Sequence, residues 1–140
     1  MFINFWYPAE QTSALGQKPV RVRMLGQKFV LFRDSAGVAH CLSNVCLHRC
    51  GSLGDGWVRN DRVVCPYHGW EFNGSGQCER IPSLGPVQPA ITTRARVDAY
   101  PVQEKYGLVF VFLGDLPDEQ RPPIMEIAEW DDPGWRCTTL

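Results

Sequence analysis

The amino-acid sequence predicts an all-β fold. Three observations carry that expectation: short segments rich in β-branched and aromatic residues, turn chemistry between them, and glycine-rich irregular stretches that leave little room for a helix. Residues 20–25 (V-R-V-R-M-L) alternate polar and apolar side chains, and residues 29–33 (F-V-L-F-R) follow across Gly26-Gln27, read as a hairpin turn. Asp34-Ser-Ala-Gly37 supplies a second turn before residues 38–42, so this part is predicted to be an antiparallel meander. Residues 43–57 then run through Asn, Cys, His and Arg with three glycines, the composition of a long ordered loop. A strand is predicted over 62–65, a second tight loop over 66–69, and a strand over 70–72 that ends at Asn73-Gly-Ser-Gly76. Residues 95–103 and 108–113 are predicted to pair across Lys105-Tyr-Gly107, with Pro101 marking an edge or bulge because it cannot donate to a ladder. Past Asp115, Pro117, Pro122, Pro123 and Pro133 interrupt an acidic stretch that reads as a connector or tail. One domain is therefore expected over 1–116, with its two loops inside about 43–82, followed by a Pro-rich acidic segment over 117–140.

Charge excludes some functions. Fourteen basic and 15 acidic residues, spread along 140 positions, give a net charge of −1. That leaves no basic footprint for nucleic acid or an anionic membrane surface, and partners are expected to be proteins. The longest clean apolar run, residues 108–113, falls far short of the ~20 residues a membrane helix needs. The opening M-F-I-N-F-W-Y-P lacks the basic start and small-residue cleavage site of an export signal, so a reducing cytoplasm is expected, where cysteines serve as ligands or thiols more often than as disulfides.

The six cysteines stand at 41, 46, 50, 65, 78 and 137, a spacing that suits no small disulfide scaffold. Histidine occurs only at 40, 48 and 68, and two of the three follow a cysteine by two or three residues. Cys46-Leu-His48 and, after 16 intervening residues, Cys65-Pro-Tyr-His68 each offer one thiolate and one imidazole. Mononuclear zinc fingers usually pair two cysteines in one knuckle and two histidines on a helix. A mixed pair in each loop suits two metals side by side, one iron taking both thiolates and the other both imidazoles. A structural zinc site remains the alternative.

Cys46-Leu-His48-Arg49 followed by Cys65-Pro-Tyr-His68-Gly69-Trp70 resembles the signature of Rieske iron–sulfur domains. The resemblance implies an antiparallel β-sandwich base with a small two-loop cluster-binding subdomain, and a 2Fe-2S cluster on Cys46, His48, Cys65 and His68. Around the ligands it implies supporting roles for Leu47, Arg49, Gly51, Pro66, Tyr67, Gly69 and Trp70. Gly51, Gly54 and Gly69 would let backbone N–H groups approach the cluster sulfides, Leu47 and Pro66 would exclude water, and turn geometry is an equal reading of Gly54 and Gly56. Respiratory Rieske proteins carry a loop disulfide and a serine after the second His-Gly. Tyr67 and Trp70 stand in those places here, and Cys50 has no partner in the other loop, so no loop disulfide is expected. Cys50 is expected to be a buried small thiol. The implied potential lies low in the Rieske range of about −150 to +300 mV.

The run Cys65-Pro-Tyr-His68-Gly-Trp70-Glu-Phe72 is similar to the N-terminal domain of the terminal oxygenase (alpha) subunit of Rieske non-haem iron oxygenases, more than to the small ferredoxins. In that family a following catalytic domain holds a mononuclear non-haem iron in a two-histidine, one-carboxylate triad. With His48 and His68 assigned to the cluster, only His40 is left, so these 140 residues hold no such triad. His40 is expected to be a half-exposed strand residue without a role, and Trp6, Trp57 and Trp135 to be packing. The family implies a reductase or ferredoxin as donor, a mononuclear-iron oxygenase domain as acceptor, and trimeric assembly in the full-length context. Three readings follow: the electron-relay domain of a hydroxylating or demethylating oxygenase, a free-standing Rieske ferredoxin, and a zinc-stapled interaction module. Colour separates the third: the purified protein is expected to absorb visible light and to contain about two irons per chain, and a colourless zinc protein would refute both redox readings.

Overall fold

The computed structural model describes residues 3–138 and contains eleven strands among them, all paired antiparallel. In chain order they are β1 (Phe5–Gln11), β2 (Val20–Met24), β3 (Gln27–Arg33), β4 (Ala39–Ser43), β5 (Trp57–Arg59), β6 (Arg62–Val64), β7 (Glu71–Phe72), β8 (Cys78–Arg80), β9 (Ala99–Tyr100), β10 (Val102–Lys105) and β11 (Leu108–Leu113). Only four single-turn 3₁₀ segments accompany them among the described residues. The strands form three sheets, ordered β1-β11-β10, β2-β3-β4-β9 and β5-β6-β7-β8. The first two make the base, and the third makes a smaller unit whose connections carry the two Cys/His loops.

β3 binds base and smaller unit together. Its side chains alternate between two cores, Phe29 and Leu31 pointing one way and Val30 and Phe32 the other. Phe29 and Leu31 meet Val109, Val111 and Leu113 of β11 inside the base. Val30 and Phe32 join Leu42, Leu53, Val63, Phe72 and Cys78 beneath the smaller sheet. A strand buried on both faces has no reason to alternate in sequence, and F-V-L-F does not. A second link is polar: the Ser35 N–H and Oγ donate to the two carboxylate oxygens of Asp61 at 2.7 and 3.0 Å, tying the β3–β4 turn to the β5–β6 turn.

The first hairpin turn is Leu25-Gly26, one residue earlier than Gly26-Gln27, with φ of 49° and 81°. Positive φ at both central residues is the I′ requirement that matches strand twist. The predicted strand over 95–103 is broken. Residues 95–98 lie outside any strand, and Pro101 separates β9, on the edge of β4's sheet, from β10, on the edge of β11's sheet. Pro101 needs only its carbonyl there, which accepts the Phe112 N–H at 2.9 Å.

Residues 117–138 do not stand away as a free tail. The Trp6 indole N–H donates to the Pro122 carbonyl at 2.8 Å, Ile124 is buried, the Ile127 N–H donates to the Tyr106 hydroxyl at 2.8 Å, and Trp130 packs on Tyr106. The segment therefore lies along the outer face of β1-β11-β10. Trp6 packs as expected, against Phe112, whereas Trp57 and Trp135 are exposed because neither reaches a core.

The base is cross-tied by Arg33, whose guanidinium forks onto both Glu104 carboxylate oxygens at 2.9 and 2.7 Å and also donates from Nε to the Leu15 carbonyl at 3.0 Å. The Arg33 hydrogen bond holds the Glu104 carboxyl below the usual carboxylate range. A depressed carboxylate contributes stability that is complete above the unfolded pKa of about 4.3 and is lost as pH falls through the lower folded value. Glu104→Gln is thus expected to cost about 1 kcal/mol or less at neutral pH, with the difference from wild type beginning to shrink below about pH 4.3 and gone only below the depressed folded pKa, in urea titrations run as a pH series.

Candidate metal centre

The two Cys/His loops are built alike. In the first, the Cys46 carbonyl accepts the Cys50 N–H at 2.9 Å and the Cys46 N–H donates to the Gly51 carbonyl at 2.9 Å. In the second, the Cys65 carbonyl accepts the Gly69 N–H at 2.9 Å and the Cys65 N–H donates to the Trp70 carbonyl at 2.8 Å. Each loop also turns through a left-handed residue four positions after its cysteine, Cys50 at φ 56° and Gly69 at φ 74°. Cys50 therefore occupies the place that glycine fills in the partner loop. Its side chain is exposed, not the buried thiol expected, because that turn directs it away from the core.

Asn44, buried at the end of β4, staples the first loop: its Oδ1 accepts the Gly54 N–H at 2.7 Å and its Nδ2 donates to the Ser52 hydroxyl at 2.9 Å. Gly54 packs against the side chains of Arg21 and Asn44, and Gly56 against the Val64 carbonyl, so these two glycines serve loop packing. Gly51 faces the other loop: a Cβ there would stand 2.9 Å from Cys65 Sγ and 3.3 Å from Tyr67 Cβ. Gly69 likewise leaves room for Pro82, whose Cγ would lie 3.0 Å from an added Cβ. Pro82 thus brings a third segment against the site, one the sequence reading did not include.

The four donors stand as two pairs. Cys46 and Cys65 are buried and adjacent, and burial first, then the neighbouring Cys65, pushes the Cys46 thiol up to about 12. His48 and His68 are exposed, with ring centroids 4.7 Å apart and planes at 63°. Residual desolvation, then the nearby His68 and Arg49, hold the His48 imidazole below its ordinary pKa. Among the described residues no group of three or more His, Cys, Asp or Glu side chains is gathered for a single metal ion. A thiol pair beside an imidazole pair is the donor set of a two-iron cluster ligated asymmetrically, and Gly51 leaves open the space a β-carbon would take beside the Cys65 sulfur. The residues fit the group.

Trp70 stacks on His48 with centroids 4.6 Å apart and planes at 10°, and Tyr67 leans on His68 at 3.9 Å. Leu47, Arg49, Pro66 and Tyr67 are all exposed, so Leu47 and Pro66 form a rim and do not seal the site. Behind Trp70, Glu71 is fully buried, receiving Arg59 at 2.5 Å and Arg80 at 3.3 Å on one oxygen, with Arg62 at 3.8 Å from the other. A lone charged residue in the apolar run Trp70-Glu-Phe72 was the available sequence signal, since a buried carboxylate requires partners. His40 is half-buried: its Nε2 shares a hydrogen bond with Asp34 at 2.8 Å and its ring lies over Phe32. It stands apart from the four donors.

Comparison with known proteins places this arrangement. Residues 5–101 match the Rieske [2Fe-2S] domain family, and the chain belongs to that family. It is a domain that binds a 2Fe-2S cluster and transfers electrons. The chain is 41% identical over 128 residues to the 4beta-methylsterol monooxygenase of Methylococcus capsulatus, covering 90% of this chain and 34% of that protein. It is 40% identical over 127 residues to the chloroplastic chlorophyllide a oxygenase of Chlamydomonas reinhardtii, covering 86% of this chain and 19% of that protein. The crystal structure of apo dicamba monooxygenase superposes with a TM-score of 0.81 at 32% identity, over 95% of this chain and 40% of that one. The chain thus spans well under half the length of these relatives, which are oxygenases or their subunits.

Gly51→Ala would bring a methyl group too near Cys65 Sγ for the loops to keep their spacing. A loss of about 1–3 kcal/mol and a lower iron content per chain are expected, measured by thermal unfolding and metal analysis of the purified protein, and wild-type values for both would remove Gly51 from the site.

Proposed function

We propose that this chain is the electron-relay domain of a Rieske non-haem iron oxygenase, hydroxylating or demethylating, with Cys46 and Cys65 on one iron of the cluster and His48 and His68 on the other. The observation that carries the reading is the pairing itself: two thiols withdrawn from water beside two imidazoles left at the surface. The cluster, when bound, supplies one-electron chemistry at a potential raised by its neutral nitrogen ligands. The protein's own residues do the rest. Burial keeps water from the sulfur side, the two closing hydrogen bonds of each loop fix the donors, and the exposed imidazole edges make His48 and His68 the face presented to an electron acceptor.

The relatives supply the context: they are two and a half to five times longer than the aligned stretch, which leaves room for a domain with its own mononuclear iron. We assign 1–116 to the Rieske domain, about 43–82 to its cluster-binding part, and 117–140 to a connector laid along the base. A reductase or ferredoxin would deliver the electron, a mononuclear-iron domain would receive it, and in a trimer that domain belongs to a neighbouring subunit. The thiols must stay reduced to hold iron, which suits the cytoplasm. The relatives act on unlike substrates, and the substrate is set outside these residues.

Replacing His48 or His68 by cysteine returns negative charge to the site. Each variant is expected either to lose the cluster or to move its potential down toward the roughly −400 mV of four-cysteine clusters, read by redox titration followed in the visible spectrum. Wild-type spectrum and potential in both variants would refute the ligand assignment.

A further inference from the structure

Three features of the site single out Trp70. It is the only tryptophan among the described residues in ring contact with one of the four donors, stacked nearly parallel on His48 at 4.6 Å and 10°. It is itself anchored, half-buried and packed against the core that contains Cys46, Cys65 and Phe72. Its backbone is fixed on both sides. The Trp70 carbonyl accepts the Cys65 N–H at 2.8 Å, and the next residue, Glu71, is immobilised by Arg59 and Arg80. His48, by contrast, projects from an exposed loop, and an exposed imidazole has two free torsions unless something limits them.

We propose that Trp70 is a positioning residue for His48: an indole wall, held by the core and by the second loop, that fixes the plane of the first loop's imidazole and so the direction in which its ring nitrogen meets iron. The two halves of the site then depend on each other, because the ligand of one loop is oriented by a residue of the other. His68 receives a different treatment, meeting His48 edge to face and Tyr67 at a tilt, with Tyr67 itself exposed. The two imidazoles are therefore inequivalent, with His48 the more tightly oriented. This rests on the ligand assignment above, though not on the identity of the electron acceptor.

The test uses the whole chain with its cluster in three forms: wild type, Trp70→Phe and Trp70→Leu. Leucine keeps apolar bulk against the core and removes the flat face, and phenylalanine keeps a face. Reduced samples are read by electron paramagnetic resonance with resolved nitrogen couplings, and by redox titration. Expected are two distinct nitrogen couplings in wild type, a shifted or broadened coupling for one histidine in Trp70→Leu together with a shift in potential, and return of both toward wild type in Trp70→Phe. Loss of the cluster in Trp70→Leu alone, with Trp70→Phe like wild type, also supports the proposal. Wild-type couplings and potential in Trp70→Leu overturn it, as does Trp70→Phe failing to restore either one or failing to load. Absence of any nitrogen coupling in wild type would instead sink the ligand assignment.

Discussion

Two cysteine sulfurs have to sit out of water while two imidazoles, two and three residues along the same chain, remain in it. A loop that did this by side-chain burial alone would need a large hydrophobic cover. Here the backbone does it with paired hydrogen bonds: each cysteine closes a tight turn through its own N–H and C=O, so that its side chain is directed inward and the following histidine outward. Everything else supports that arrangement. The left-handed positions at Cys50 and Gly69 let the turns close, Asn44 keeps the first loop from opening, and Pro82 backs the second.

Beneath the loops the chain uses two means of support. The apolar one is β3, whose opposite faces belong to two cores, so displacement of the cluster-binding part disturbs packing in the base as well. The polar one is Glu71, a buried charge ringed by arginines that are themselves half in solvent. Such a group is costly to desolvate, and taking away a partner strands the charge, which makes the arrangement intolerant of partial change. Lying beside Trp70 in sequence, it fixes the backbone from which the indole reaches His48.

The two Cys/His pairs were legible in the sequence as candidate donors because cysteine and histidine are scarce and few other chemistries explain their pairing at 46/48 and 65/68. The meander of β2, β3 and β4 and the last hairpin were legible from β-rich runs split by turn residues. β1 was not, since F-W-Y-P-A-E-Q carries a proline at a register shift and does not alternate cleanly. β5 and β8 are three residues long and exist only because neighbours pair with them. The fate of Cys50 was hidden for another reason: its exposure is set by one backbone torsion. The partners of Glu71 come from positions 59, 62 and 80, a grouping that only the folded sheet brings together.

The likeness of the two loops has a consequence for how the molecule comes apart. Each loop closes on itself, and between them the chain forms its own small hairpin, β5 and β6, so on the proposed ligation the stretch from Cys46 to Cys65 would be a short ring, its ends joined through a common centre. Joining the ends of a ring that size removes chain entropy from the unfolded state, worth about 3 kcal/mol by analogy with a disulfide of similar span. That contribution is local. It clamps the smaller sheet far more than the base, whose strands and Arg33–Glu104 tie lie outside the ring. Stripping the iron should therefore first loosen the part that presents His48 and His68, and the disturbance reaches the base through β3, whose two faces serve both cores.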